Sequence, residues 1–178
     1  MSTTTWALDP THSELLFRVR HLMIASVKGE FRKFNVTLQV NGDDFSGASV
    51  SASVDIDSID TNNADRDGHL KSPDFFDMAS HPAMTFNSTS ITKSSDTDYV
   101  LHGDLTIKGV TKSVAVQVEF GGMNKDPWGN EKAGYSFSTT INRNDFGLTW
   151  NAALETGGVL VSEEVKISGE LQFVKQAS

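Results

Sequence analysis

The sequence predicts an all-β protein whose strands close into an eight-stranded antiparallel barrel, interrupted once by a short helical insert. Three observations carry this reading. Apolar and polar residues alternate with period two in about eight segments. Consecutive segments are separated by short turn signals such as "NGDD", "IKGVTK", "NKDPWGN" and "ETGG", which suit hairpins and leave no room for crossover helices. The chain of 178 residues is rich in Ser, Thr and Val and holds 14 glycines, a composition that favours sheet over helix.

The segments follow in order. In "SELLFRVRH", Leu15, Phe17, Val19 and His21 share one face and Glu14, Arg18 and Arg20 the other, while Leu16 breaks the alternation. "FNVTLQV" groups Phe34, Val36, Leu38 and Val40. "ASVSASVDI" sets Ala48, Val50, Ala52, Val54 and Ile56 against Ser49, Ser51, Ser53 and Asp55. "MTFNSTS", with Met84 and Phe86, is the weakest. "YVLHGDLTI" groups Tyr99, Leu101, Gly103, Leu105 and Ile107, and "SVAVQVEF" groups Val114, Val116, Val118 and Phe120. "GYSFSTTI" aligns Tyr135, Phe137, Thr139 and Ile141, and "EVKISGELQF" ends the series with Val165, Ile167, Gly169, Leu171 and Phe173. Each strand has one apolar face, and a closed meander leaves no free edge. About eight strands is the size at which a barrel either fills with side chains or holds one small ligand. The small inward residues Ala48, Ala52, Gly103 and Gly169 favour an open interior; close packing at strand crossings or bulges is the other reading.

The insert lies between the third and fourth of these strands, in "ADRDGHLKSPDFFDMASHPAMTF". Asn62 or Asn63 can cap a short helix through "ADRDGHLK", and "SPDFFD" restarts one, with Ser72 at the cap and Pro73 at the first helical position. Gly68 costs about 1 kcal/mol relative to alanine, so short helical turns are expected. Phe75 and Phe76 can then press on the barrel mouth while Asp65, Asp67, Asp74 and Asp77 face water.

Composition sets the function classes. A net charge of -8 argues against a nucleic-acid partner and against docking on anionic lipid through a polybasic patch. There is no cysteine, so disulfides and thiolate chemistry are excluded. The five histidines form neither an H-x-H pair nor an H-E-x-x-H face, and no metal or cofactor is expected. His12 reads as part of a turn opening the first strand. "DFG" at Asp145–Gly147 lacks the glycine-rich loop and strand lysine of a kinase, and no nucleophile elbow or P-loop is present. No basic, apolar leader and no membrane-length apolar run is visible, so the expectation is one cytoplasmic domain over 1–178, without stable membrane insertion.

Four ordered blocks resemble one family. "WALDPTHSELLFRVRHLMIASVKGEF", "NNADRDGHLKSPDFFDMASHPAMTF", "LHGDLTIKGVTKSV" and "INRNDFGLTWN" are similar to the signatures of the YceI-like polyisoprenoid-binding proteins, and they span nearly the whole chain. The resemblance implies an extended lipocalin-like barrel, often dimeric, with a long apolar tunnel. The tunnel holds a polyisoprenoid, an isoprenoid quinone or a related long-chain amphiphile. The residues then expected to meet the ligand are Phe17, Val19, His21, Phe31, Ala52, Val54, Ile56, Arg66, His69, Phe75, Phe76, Met84, Phe86, Phe146 and Trp150, with Arg66 and His69 toward a polar head. No catalytic residue is assigned. Two further readings stay open: an enzyme acting on a lipid at His21, Arg66 and His69, and a filled barrel serving as an interaction module.

Overall fold

The computed structural model describes residues 3–22, 24–41, 45–151 and 161–177. They form eleven β segments and one α-helix: β1 (Thr3–Leu8), β2 (Glu14–His21), β3 (Ala25–Phe31), β4 (Phe34–Asn41), β5 (Ala48–Asp55), β6 (Ile59–Asp60), α1 (Ala64–Lys71), β7 (Ala83–Lys93), β8 (Asp98–Ile107), β9 (Val110–Lys125), β10 (Glu131–Asn142) and β11 (Val161–Lys175). Every pairing is antiparallel. β1, β4, β5, β7, β8, β9, β10 and β11 follow one another around a ring that β1 closes by pairing with β11. The eight-stranded barrel is therefore the architecture.

Eleven segments give eight strands because three strands are bent. β1 and β2 both run along β11, at Trp6–Leu8 and then from Glu14 onward. β3 and β4 continue each other on their far side, and β5 continues into β6. The sequence reading finds β2 and β4 but not β1, β3 or β6. In β1 three consecutive threonines precede Trp6 and mask the alternation. In β3 the inward position between Val27 and Phe31 is Gly29, which contributes no hydrophobic signal. It has to be glycine, since a Cβ there would run into the ring of Phe17 on the neighbouring strand.

The bend between β1 and β2 is the seam of the barrel. Residues 9–13 stand against only 171 and 172 of β11, and the excess coils into a 3-10 turn at Pro10–His12. Asp9 caps that turn by accepting from Thr11 N–H at 3.2 Å, and His12 Nδ1 lies 2.8 Å from its Oδ2. Asp9 N–H donates to the Gln172 carbonyl (2.8 Å), and the Ser13 hydroxyl accepts from Gln172 N–H (3.0 Å). Lys132 of β10 reaches across to Asp9 Oδ2 at 2.8 Å, with 13% of the Asp9 side chain exposed.

Two apolar clusters divide the interior. One surrounds Leu38, Tyr99, Leu101 and Phe173, and Phe45 plugs its end with its ring 5.0 Å from Tyr99 and 4.9 Å from Tyr135. The other surrounds Phe31, Phe75, Ile107 and Phe146 at the end that carries the insert. Gly103 and Gly169 do not open the interior. A Cβ on Gly103 would strike the Phe86 ring and one on Gly169 the Glu14 carbonyl, so both serve close packing.

The insert folds partly as read. Asn63 caps α1, accepting from Arg66 N–H at 2.9 Å. "SPDFFD" is a turn rather than a second helix. The Ser72 carbonyl accepts from both Phe75 and Asp77 N–H, Lys108 takes the Pro73 carbonyl at 2.9 Å, and Asp77 has a left-handed φ of 49°. Ile56 starts a 3-10 turn instead of ending a strand. The turn signals "NGDD" and "ETGG" fall largely on 42–44 and 155–158, outside the described residues.

The seam fixes a pH dependence. The Lys132 ammonium, helped by His12 and Thr11, holds the Asp9 carboxyl well below the usual carboxylate range against the opposing effect of burial. A depressed carboxyl contributes stability above its unfolded pKa of about 3.9, and loses it as pH falls through the lower folded value. Asp9→Asn should therefore lower the midpoint of urea unfolding at neutral pH. Its deficit relative to the native protein should shrink steadily below about pH 4.

Candidate ligand cavity

The inward faces enclose two chambers arranged end to end. The chamber on the Phe45 side holds about 160 Å³ and is lined by Phe34, Val36, Ala52, Val54, Phe86, Val116, Phe137 and Phe173, among others. The chamber on the insert side holds about 240 Å³. Leu15, Met84 and Ile167 belong to both walls, and they form a collar between them. The interior is thus two chambers meeting at three aliphatic side chains, where the sequence reading expects one uninterrupted tunnel.

Most of the expected residues come together here. Phe17, Val19, His21, Phe31, Arg66, His69, Phe75, Phe76, Met84 and Trp150 line the insert-side chamber. Ala52, Val54, Met84 and Phe86 line the other. Ile56 and Phe146, each 1% exposed, are packed into the core and line neither chamber.

The mouth on the insert side is built from aromatic rings. Phe17, Phe31 and Phe76 pack in series, tilted and then edge-on, with centroids 5.5 and 6.1 Å apart. Trp150 packs against Phe75 at 5.4 Å and against His69 at 4.7 Å. Such pairs exclude water by burying aromatic area. The aromatic half of the insert thus packs onto the wall of the chamber.

The polar half differs. Thr61, 4% exposed, is the anchor of the insert. Arg66 Nε donates to its hydroxyl at 2.8 Å and Arg66 Nη2 to its carbonyl at 2.7 Å. Asp67 accepts from Thr61 N–H at 2.9 Å and from its hydroxyl at 2.5 Å. Arg66 thus binds Thr61 rather than a carboxylate, and Asp67 faces Thr61 rather than water. His69 Nε2 lies 2.9 Å from Asp74 Oδ2, and Lys71 lies 3.1 Å from Asp57. These bonds give Arg66 and His69 a role in holding the insert together.

Arg143 is the polar residue that sequence reading missed. It lines the same chamber, is 3% exposed, and sits at the start of the turn after β10. Its Nη1 donates to the carbonyls of Leu148 (2.6 Å) and Trp150 (2.8 Å), its Nε to Ser162 (2.8 Å) and its Nη2 to Val161 (3.3 Å). One guanidinium therefore ties the segment carrying Trp150 to the first residues of β11. Burial pulls its pKa below the usual guanidinium range, while Glu163 acts in the opposite sense. A lone arginine beside "DFG" has no sequence signal that would mark it as buried. With Arg20, His21, Arg66 and His69 it makes five basic side chains around this chamber, and no Asp or Glu is among the described lining residues.

Two substitutions separate these roles. Arg143→Met should cost about 3 kcal/mol in urea unfolding, because it strands several carbonyls at once, and Arg143→Lys should not restore it, lacking the planar fork. Arg66→Ala should lower the melting temperature, because it leaves the buried Thr61 carbonyl without its donor; unchanged melting would remove Arg66 from the anchor of the insert.

Comparison with known proteins agrees with this architecture. The model of the YceI-like domain matches residues 6–173. Proteins described as UPF0312 from Staphylococcus epidermidis and Staphylococcus aureus are 41% and 40% identical over 171 residues, covering 96% of this chain and 97% of each relative. Among solved structures, Campylobacter jejuni YceI superposes with a TM-score of 0.77 at 29% identity, covering 89% of this chain and 90% of that one. Burkholderia cenocepacia BcnA has the same fold, with a TM-score of 0.81 at 22% identity over 93% of this chain and 98% of its own. A Saccharophagus degradans domain described as polyisoprenoid-binding shares the fold at a TM-score of 0.72 and 16% identity, over 96% and 98% of the two chains. No helix among the described residues is long and apolar enough to cross a membrane.

Proposed function

We propose that this chain, which belongs to the YceI-like domain family, binds one long lipid tail along the two chambers of its barrel and carries or sequesters it. One observation supports this most: both chambers are walled mainly by hydrocarbon side chains, and charged groups gather only at the insert end. Each methylene moved from water into such a wall is worth about 0.8 kcal/mol, so a long tail binds by burial and tolerates variation in its length. The description of the Saccharophagus degradans neighbour favours a prenyl tail, as in a polyisoprenoid or an isoprenoid quinone.

The collar would act as the gate between chambers. Leu15 and Ile167 are held by the pairing of β2 with β11, whereas Met84 has an unbranched, flexible side chain. Rotation of Met84 would let a tail pass from the mouth to the Phe45 end. At the mouth, Arg20, His21 and Arg143 stand near where a head group would rest. His69 has a carboxylate partner in Asp74, but that pair ties the insert together, and no Asp or Glu is among the described lining residues to pair with His21; we read the site as a binder rather than a lipid-modifying enzyme.

Organic extraction and mass spectrometry of the purified protein test this reading. About one long-chain lipid per chain is expected, and Ile167→Trp, which fills the collar, should retain a shorter lipid or none while keeping the sheet signature in circular dichroism. Native protein that yields no lipid and takes up no added prenol would reject it.

A further inference from the structure

The outer face carries a second concavity that the lipid reading does not use. Leu16, the residue that breaks the alternation of its strand, lies half-buried in a trough of about 760 Å³. Two cross-strand rows line it. In one, Thr140, Lys166, Arg18 and Lys28 stand opposite one another on β10, β11, β2 and β3. In the next, Ser138, Ser168, Leu16 and Glu30 do the same, and Asp60 of β6 follows.

Three cations in direct cross-strand register are unfavourable for a sheet. Two carboxylates also line the trough and share Arg32, whose Nη2 lies 2.6 Å from Asp60 and Nε 3.4 Å from Glu30, so with Arg32 counted the cations outnumber the carboxylates by two. Among the described residues, Lys166, Arg18 and Lys28 have no ion-pair partner. On a chain with a net charge of -8, this is a local excess of positive charge that the neighbouring carboxylates offset only in part. Strands lie about 4.8 Å apart, so the three cations span about 10 Å, the scale of a short oligophosphate. The hydroxyls of Thr140, Ser138 and Ser168 add donors along its side. A concave floor also disfavours a flat bilayer, which would touch only the rim.

We propose that this trough binds a soluble oligophosphate or phosphate ester, held by Lys166, Arg18 and Lys28. The site adjoins the lipid chambers, sharing Leu16, Phe17 and Ile167 with the insert-side one, but its charged row does not line them and it stands whether or not they hold a lipid.

Calorimetric titration of the full chain with inorganic tripolyphosphate tests it. Saturable binding is expected, weakened about tenfold by Arg18→Gln, the loss of one charge-assisted contact, and weakened again by added salt. Without the anion, Arg18→Gln should melt no lower than the native protein, because it relieves like-charge repulsion. Lys28→Gln repeats the measurement at a second position, should the first variant fold poorly. Absence of saturable binding, or equal affinity in both variants and the native protein, would overturn the proposal. So would binding to phosphatidylglycerol vesicles with none to tripolyphosphate, which would assign the face to a membrane. A dimer in sedimentation that Arg18→Gln dissociates, again with no tripolyphosphate binding, would assign it to a second copy of the chain.

Discussion

The barrel depends on how its first strand changes course. A sheet closes only if its edge strands meet in register, and here the first strand must contact β11 along two stretches that do not share one register. The turn at Pro10–His12 takes up the excess, and a single carboxylate fixes it. Asp9 opens the turn, meets Lys132 from β10 through its carboxylate and bonds the backbone of β11 through its N–H, so three strands converge on one residue. Everything inside, including the collar at Leu15 and Ile167, inherits its position from that corner. Ion pairs on open surfaces contribute little; this one is largely shielded and supported by neutral hydrogen bonds, the condition under which such a pair holds geometry.

Much of this was legible in the sequence because period-two alternation depends directly on which face of a strand meets the core. Leu15, Phe17 and Val19, or Val50, Ala52 and Val54, could be assigned inward from spacing alone, and they line the chambers. The illegible parts are those where one residue's role is set by a distant partner. Gly29 looks like a strand breaker until the ring of Phe17 is placed over it. Gly103 and Gly169 look like room for a ligand until Phe86 and the Glu14 carbonyl are seen against them. Arg66 and Arg143 have the same chemistry on paper. One is bound to a threonine five residues away and the other to carbonyls on two separate segments, and no local pattern distinguishes them.

The two ends of the barrel are closed by different means. At one end Phe45, on the turn between β4 and β5, packs edge-on against Tyr99 and tilted against Tyr135 of the wall. At the other, the seal is a separate piece of chain, pinned through Thr61 on one side and through Lys108 to the Pro73 carbonyl on the other. Displacing that piece breaks a handful of hydrogen bonds and withdraws Phe75 from the second core cluster, but leaves the strand ladder intact. Opening the Phe45 end would disturb the core around Leu38. The two ends thus differ in kind, and the basic groups gather at the one closed by a separate segment.

Ring closure also orders the events of folding. The contact that seals the barrel joins Trp6 to Lys175, nearly the longest loop this chain can form. Hairpins such as β8 with β9 can assemble as soon as they leave the ribosome, but the sheet stays an open, curved blade until β11 arrives. In that interval the walls of both chambers face water along their whole length. A lipid meeting the nascent sheet would then not need to thread the mouth at all; the last strand would close over it.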